Sequence, residues 1–88
     1  MKVVHKYPIS FVDSEVKMPK GADVLHADTV NGLVFIWAMV NPKHKLTSRY
    51  FKLFATGEAI EDYDKKHYHY IKTLLNNGFV FHLYEIIE

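Results

Sequence analysis

Residues 22–40 of the 88-residue chain contain two apolar runs joined by one dipeptide, in the order ADVLHADTV, NG, LVFIWAMV. Asn and Gly both accept the positive φ angles of a type I′ turn, so Asn31-Gly32 between such runs predicts a tight β-hairpin. Counting outward from the turn gives the same-face pairs Asp28/Phe35, His26/Trp37 and Val24/Met39, and the opposite-face pairs Ala27/Ile36 and Leu25/Ala38.

The second run of this hairpin, residues 33–40, is apolar at every position. A strand of this kind is expected to be buried on both faces, so we expect a central strand covered on both sides, by a second sheet or by a partner. Another Asn-Gly pair, Asn77-Gly78, separates residues 67–75 from residues 79–87 and predicts a second hairpin.

The remaining segments extend the same pattern. Residues 2–7, 14–18 and 49–55 are rich in β-branched and aromatic residues or alternate in polarity, and they predict strands. Residues 41–45 predict an exposed loop, and residues 56–66 a solvated loop with one helical turn around Ile60 to Tyr63. The sequence therefore predicts a single β-domain over residues 1–88. Its fold class is all-β and mainly antiparallel, with about six strands in a small sandwich or partly open barrel.

The composition is typical of a soluble globular protein, with 49% hydrophobic, 24% charged and 15% aromatic residues. The chain has no Cys, which excludes disulfides and thiolate metal sites and favours a cytoplasmic location. Its longest apolar run is far shorter than the roughly 20 residues of a membrane-spanning helix, so we expect no membrane partner. A core this small favours a homo-oligomer.

Catalytic patterns are weak. The chain has six His, of which His67 and His69 are two apart in a predicted strand and project to the same side, as paired metal ligands do. No spacing supplies a third ligand, and half-buried strand residues with polar tips are the competing interpretation. The chain has neither a Cys nor a Gly-x-Ser-x-Gly motif for nucleophilic catalysis. Its four glycines are isolated, so they do not predict a phosphate-binding loop. We therefore expect no cofactor and no enzymatic activity, with a small metal-dependent enzyme as an alternative.

Aromatic and basic residues alternate in two places, at Lys6-Tyr7 and in residues 49–52, a composition that stacks bases and pairs with phosphates. A charged edge strand is the competing interpretation. His26 opposite Trp37 would line a ligand pocket or form an ordinary packed cross-strand pair. The formal charge is only +1, so binding depends on local patches. The candidate ligand-binding residues are Arg49, Lys52, Trp37, His26, Lys6 and Tyr7.

Several short motifs, in their order along the chain, resemble a family of short uncharacterised proteins encoded mostly by phages. The motifs are Tyr7-Pro8-Ile9, Met18-Pro19-Lys20-Gly21-Ala22, Leu25-His26, Trp37, Arg49-Tyr50-Phe51 and Thr56-Gly57. The resemblance implies an accessory role in the host cytosol, in which the protein counters host defence by binding a host protein or a small anionic ligand such as a nucleotide. A protein that sequesters a nucleotide signal is a related alternative, with Arg or Lys for phosphates and aromatic rings for bases.

Overall fold

The computed structural model describes residues 1–12 and 14–87, and seven β-strands follow one another along this part of the chain. The strands are β1 (Val3–Ile9), β2 (Ser14–Pro19), β3 (Asp23–Val30), β4 (Leu33–Val40), β5 (Leu46–Ala55), β6 (His67–Asn76) and β7 (Phe79–Ile87). Every strand pair is antiparallel. The predicted all-β, antiparallel class is confirmed, with seven strands rather than about six.

Both Asn-Gly turns form as predicted. Asn31 and Gly32 have φ angles of 52° and 79°, and Asn77 and Gly78 have 52° and 81°. Positive φ at both central residues is the property of a type I′ turn, whose twist matches that of the flanking strands. The turns therefore join β3 to β4 and β6 to β7 as two-residue hairpins.

The helical turn expected around Ile60 to Tyr63 is wrong, because this segment contains turns and no helix. Asp62 adopts a left-handed φ of 59°, which interrupts right-handed helical geometry. Its carbonyl accepts hydrogen bonds from the backbone N–H groups of Lys65 and Lys66.

The strands form a three-stranded sheet in the order β1-β4-β3 and a four-stranded sheet in the order β2-β5-β7-β6. The edge strand β3 lies beside the edge strand β6 of the other sheet, and β1 lies beside β2, without continuous hydrogen bonding between the sheets. The described residues therefore form a small sandwich and not a closed barrel.

One hydrophobic core lies between the sheets. Strand β4 contributes Val34, Ile36, Ala38 and Val40, which are almost completely buried, and the four-stranded sheet contributes Phe51, Leu53 and Leu83 among others. β4 is central in its sheet, as predicted. The other sheet covers one face of β4. Its other face carries Leu33, Phe35, Trp37 and Met39, which are exposed or half-buried, and the expectation that a partner covers this face stays a prediction.

The register of the first hairpin is confirmed from the turn as far as the His26/Trp37 pair. Beyond that pair the ladder shifts, so that Val24 pairs with Ala38 and Asp23 with Met39. The expected pairs Val24/Met39 and Leu25/Ala38 are therefore wrong. The physical reason is a β-bulge at Leu25, which adds one unpaired residue to β3 and reverses the faces of the residues before it.

Candidate functional site

The outer face of the three-stranded sheet is apolar along its centre and charged at its sides. We call it the Trp37 face, and it comprises Val4, Lys6 and Pro8 of β1, Leu33, Phe35, Trp37 and Met39 of β4, and Asp23, His26, Asp28 and Val30 of β3. Leu33 is 60% exposed and Val4 is 49% exposed, while the three large side chains of Phe35, Trp37 and Met39 are half-buried. The strands thus present a partly exposed apolar surface with a tryptophan at its middle.

Three of the predicted ligand-binding residues meet on this face. The rings of His26 and Trp37 have their centroids 5.6 Å apart, and those of Phe35 and Trp37 are 6.2 Å apart. Lys6 pairs with Trp37 across the β1–β4 ladder, and its Nζ lies 4.6 Å from the centroid of the Phe35 ring. These separations are those of aromatic pairs and of cation–π contacts. Lys6, His26 and Trp37 are therefore neighbours on one surface.

The side of the Trp37 face opposite Lys6 is acidic. Asp28 pairs with Phe35 across the β3–β4 ladder, and its Oδ2 lies 3.6 Å from His26 Nε2. The backbone N–H of Thr29 donates to Asp28 Oδ1 at 2.8 Å, and this bond is the main reason that the pKa of Asp28 lies below its ordinary value of 3.8. Asp28 is therefore anionic at neutral pH. A cation, an aromatic ring and an anion follow one another across the sheet at the level of Phe35.

Arg49 lies elsewhere, on the inner face of β5. Its Nε and Nη2 donate to the two carboxylate oxygens of Glu85 at 2.7 and 2.8 Å, and its Nη1 donates to the carbonyl oxygen of Ala22. The Arg49 and Glu85 side chains are only 22% and 9% exposed. The hydrogen bonds from Arg49 to Glu85 hold the pKa of the guanidinium above its ordinary value. The charge of Arg49 is thus compensated within the chain, and its role as a ligand-binding residue stays a prediction.

A cleft of about 310 Å³ adjoins this ion pair, where the edges of β3 and β6 approach each other. Each of these strands carries a register shift at the cleft, at Leu25 in β3 and at Ile71 in β6. Bulges disrupt the ladder locally and bend the strand, and they are frequent beside binding sites. The charged and titratable groups that line the cleft are Asp23, His26, Arg49, His69, Tyr70, Lys72 and Glu85. Both signs of charge are present, so this cleft does not resemble a simple anion site.

Of the other predicted residues, His69 lines the cleft, and Lys52, Tyr7 and His67 lie apart from both sites. Lys52 is on the outer face of the four-stranded sheet, with its Nζ 5.0 Å from the centroid of the Phe54 ring. Tyr7 faces the core, and burial raises the pKa of its phenol. His67 and His69 pair with Ile87 and Glu85 across the β6–β7 ladder. No group of three His, Asp or Glu side chains in the described part of the chain is placed to hold a metal ion.

Sequence reasoning missed a chain of polar side chains on the outer face of the four-stranded sheet. The Tyr70 hydroxyl lies 2.6 Å from Thr73 Oγ1, which lies 3.0 Å from His82 Nδ1, and His82 Nε2 lies 2.7 Å from Thr56 Oγ1. These hydrogen bonds connect Thr56, in the turn after β5, to the sheet. The central pair, Thr73 with His82, follows from counting outward from Asn77-Gly78, so the signal was present in the second hairpin.

The family model described as a domain of unknown function, DUF7352, matches residues 1–88, and the chain belongs to this family. Membership of an uncharacterised family is therefore confirmed. None of the curated proteins and none of the solved structures matches the chain significantly. Among the described residues there is no helix of the length and hydrophobicity needed to cross a membrane.

Proposed function

We propose that this member of the DUF7352 family is a non-enzymatic accessory protein that binds a partner protein through its Trp37 face. The observation that carries the proposal is the half-buried Trp37, which lies at the centre of an exposed apolar sheet face with charges only at its sides. Protein interfaces are enriched in aromatic residues and Met at their centres and are polar at their rims. Tryptophan is also among the residues that contribute most to binding energy.

The shape and charge of this face favour a protein over a small anionic ligand. Small-molecule sites are concave and enclose most of the ligand, whereas the outer face of a three-stranded sheet is open. Lys6 is the one lysine among the residues that define the face, and Asp23 and Asp28 lie on its opposite side. With this balance the face does not attract anions strongly. A protein partner with its own apolar patch and charges of both signs fits better.

The resemblance to phage proteins indicates where such a partner would be found. A small phage-encoded binding protein would act in the cytosol of the host cell, and a host defence protein is a suitable target for it. The proposed partner is therefore a host protein that contacts Trp37 and pairs its own charges with Lys6 and Asp28.

A second candidate, a protein that sequesters a nucleotide signal, has one observation in its favour. Lys6 is the direct cross-strand neighbour of Trp37, and the His26 ring lies against the other side of Trp37. A base would stack on the exposed ring surface, and the ammonium would contact a phosphate. Calorimetry with a panel of nucleotides tests this candidate. If the protein sequesters a nucleotide, we expect saturable binding without turnover, and we expect Trp37→Ala to abolish this binding. If no nucleotide gives a heat of binding, the candidate is excluded.

A small metal-dependent enzyme built on His67 and His69 is a third proposal. It requires a third ligand beside these residues, which the described side chains do not provide. Elemental analysis of the purified protein tests it, since stoichiometric metal would support the idea and a metal-free protein would end it.

The experiment that tests the leading proposal is affinity capture from host lysate with matched variants. Wild type, Trp37→Ala and Tyr50→Ala serve as baits, because Tyr50 is a similarly large ring on the outer face of the other sheet and is 43% exposed. The captured protein is identified by mass spectrometry and its affinity is then measured with purified components. We expect Trp37→Ala to weaken binding by about 30-fold or more and Tyr50→Ala to change it little. Equal binding by Trp37→Ala and wild type would show that the Trp37 face is not the binding surface.

A further inference from the structure

We infer that the Trp37 face binds a second copy of this chain, so that two three-stranded sheets pack face to face in a dimer. The inference rests on the proposed role of this face as a binding surface, and it names the occupant. The face carries apolar side chains on all three strands, as do the sheet surfaces that pack together in sandwiches. The reason to choose a second copy is the pattern of charges across the sheet.

The positive and negative charges lie on opposite sides of the central strand. Lys6 is on β1, and Asp23 and Asp28 are on β3, with β4 between the two. Two identical faces that meet are related by a two-fold axis in the plane between them. An axis parallel to β4 lays β1 of each copy over β3 of the other. An axis perpendicular to the strands lays β1 over β1 and brings like charges together. The charge pattern therefore favours the axis parallel to β4.

The charges also match along the strands. Lys6 lies at the level of Trp37, but its Nζ leans toward Phe35 and stands 4.6 Å from the centroid of that ring. Asp28 is the cross-strand partner of Phe35, so it lies at the level that the Lys6 Nζ reaches. A two-fold axis parallel to β4 keeps each residue at its level and exchanges the two sides. Each Lys6 ammonium then faces Asp28 of the other copy, and symmetry repeats this ion pair on the other side of the axis.

The apolar centre adds the hydrophobic contribution. Trp37, Phe35 and Met39 lie on the strand nearest the axis, so each packs against the same residues of the second copy. The three strands cover about 27 by 14 Å, or roughly 760 Å² for the two copies together, which is below the size of stable protein interfaces and typical of weak, transient ones. We therefore expect a reversible dimer with micromolar rather than nanomolar affinity. A different protein that uses the Trp37 face must displace the second copy.

Sedimentation equilibrium with charge-exchange variants tests the inference on the full chain. Wild type is expected to change from monomer to dimer between about 1 µM and about 1 mM protein. Lys6→Asp and Asp28→Lys should each raise the dissociation constant at least about tenfold, because each places like charges opposite one another. The double variant Lys6→Asp/Asp28→Lys restores the complementary pattern and should recover most of the affinity. Lys65→Asp and Asp64→Lys, in the loop before β6, make the same changes of net charge and should have little effect.

Lys6 and Asp28 are exposed in the single chain, and circular dichroism of each variant checks that it is folded. A monomeric wild type over the whole concentration range, a dimer that ignores both single exchanges, or no recovery in the double variant would each overturn the inference. If wild type is monomeric but captures a host protein that Trp37→Ala does not capture, only the inference fails. If the exchange pattern holds and no host protein depends on Trp37, the inference stands and the proposed function fails.

Discussion

Arg49 and Glu85 show how a single ion pair fastens three parts of a small fold. The pair joins β5 to β7, and the third hydrogen bond of Arg49 reaches the carbonyl of Ala22 just before β3. Both side chains are mostly buried, so each charge depends on the other for its compensation. Arg49 therefore holds the edge of one sheet against the other, next to the cleft between β3 and β6.

Removing one member of this pair should destabilise the fold strongly. We expect Glu85→Ala to lower the free energy of unfolding by about 3 kcal/mol, because Arg49 is left with an uncompensated charge in a mostly buried position. Urea denaturation measures the change. Glu15→Ala, which removes an exposed partner of Lys17, is the matched control and should have a much smaller effect. The double variant Arg49→Met/Glu85→Leu should recover much of the loss, and equal effects of Glu85→Ala and Glu15→Ala would contradict this role of the pair.

The Asp28 carboxylate should make a pH-dependent contribution to stability. Its pKa is lower in the folded chain, chiefly because of the Thr29 backbone N–H, with smaller contributions from Lys72 and His26. A depressed pKa contributes stability above the unfolded pKa and loses it as pH falls through the folded pKa. Wild type should therefore be more stable than Asp28→Asn at about pH 6, and the difference should shrink as the pH falls below about 3.9. Denaturation at dilute protein concentration measures it, and a difference that persists at the acidic end would refute the assignment.

At the scale of the strands, the two Asn-Gly hairpins determine most of the architecture. They make β3 the neighbour of β4 and β6 the neighbour of β7. The first hairpin also places His26 opposite Trp37. The Asn76 side-chain amide donates to the carbonyl of Gly32 at 3.0 Å, so the second hairpin is tied to the turn of the first. The turns therefore link the two sheets as well as shaping each hairpin.

Replacing the first turn glycine should weaken the hairpin for a conformational reason. Gly32 has a φ of +79°, and no atom lies within 4 Å of a Cβ placed there, so a clash would not explain any loss. Left-handed φ costs an L-residue about 1–2 kcal/mol, and we expect Gly32→Ala to lower the free energy of unfolding by that amount. Asn31→Gly keeps the turn conformation accessible and is the control. An unchanged urea midpoint for Gly32→Ala would show that the turn relaxes without cost.

The hairpins also show the limit of what the sequence predicts. Counting from Asn31-Gly32 correctly placed His26 beside Trp37, and it failed at Leu25 because a bulge leaves no mark in the apolar pattern. The contact of Lys6 with this pair depends on the β1–β4 ladder, in which no tight turn connects the strands and sets the register. The Arg49–Glu85 pair joins residues 36 positions apart, so it too required the folded chain.

For the whole molecule, the two outer sheet faces differ in how they are covered. The outer face of the four-stranded sheet carries a cluster of contacting rings, and Tyr63 from the preceding loop stacks on Tyr68 with centroids 5.5 Å apart. On the three-stranded sheet, the side chains of Phe35, Trp37 and Met39 are only half-buried and Leu33 is 60% exposed. A chain of this size has little core to spare, so covering this face by association would add stability. The Trp37 face is therefore the surface through which we propose that the protein binds.

Trp37 is the only tryptophan in the chain, so its fluorescence reports directly on that surface. The most direct test is to measure its emission maximum and its quenching by acrylamide as the protein concentration rises, and again on addition of a captured partner. Occupation of the Trp37 face predicts a shift of emission to shorter wavelength and weaker quenching, with no such change in the dissociated variant Lys6→Asp as its concentration rises. Solvent-exposed emission and strong quenching under every condition would contradict the claim that the protein binds through this face.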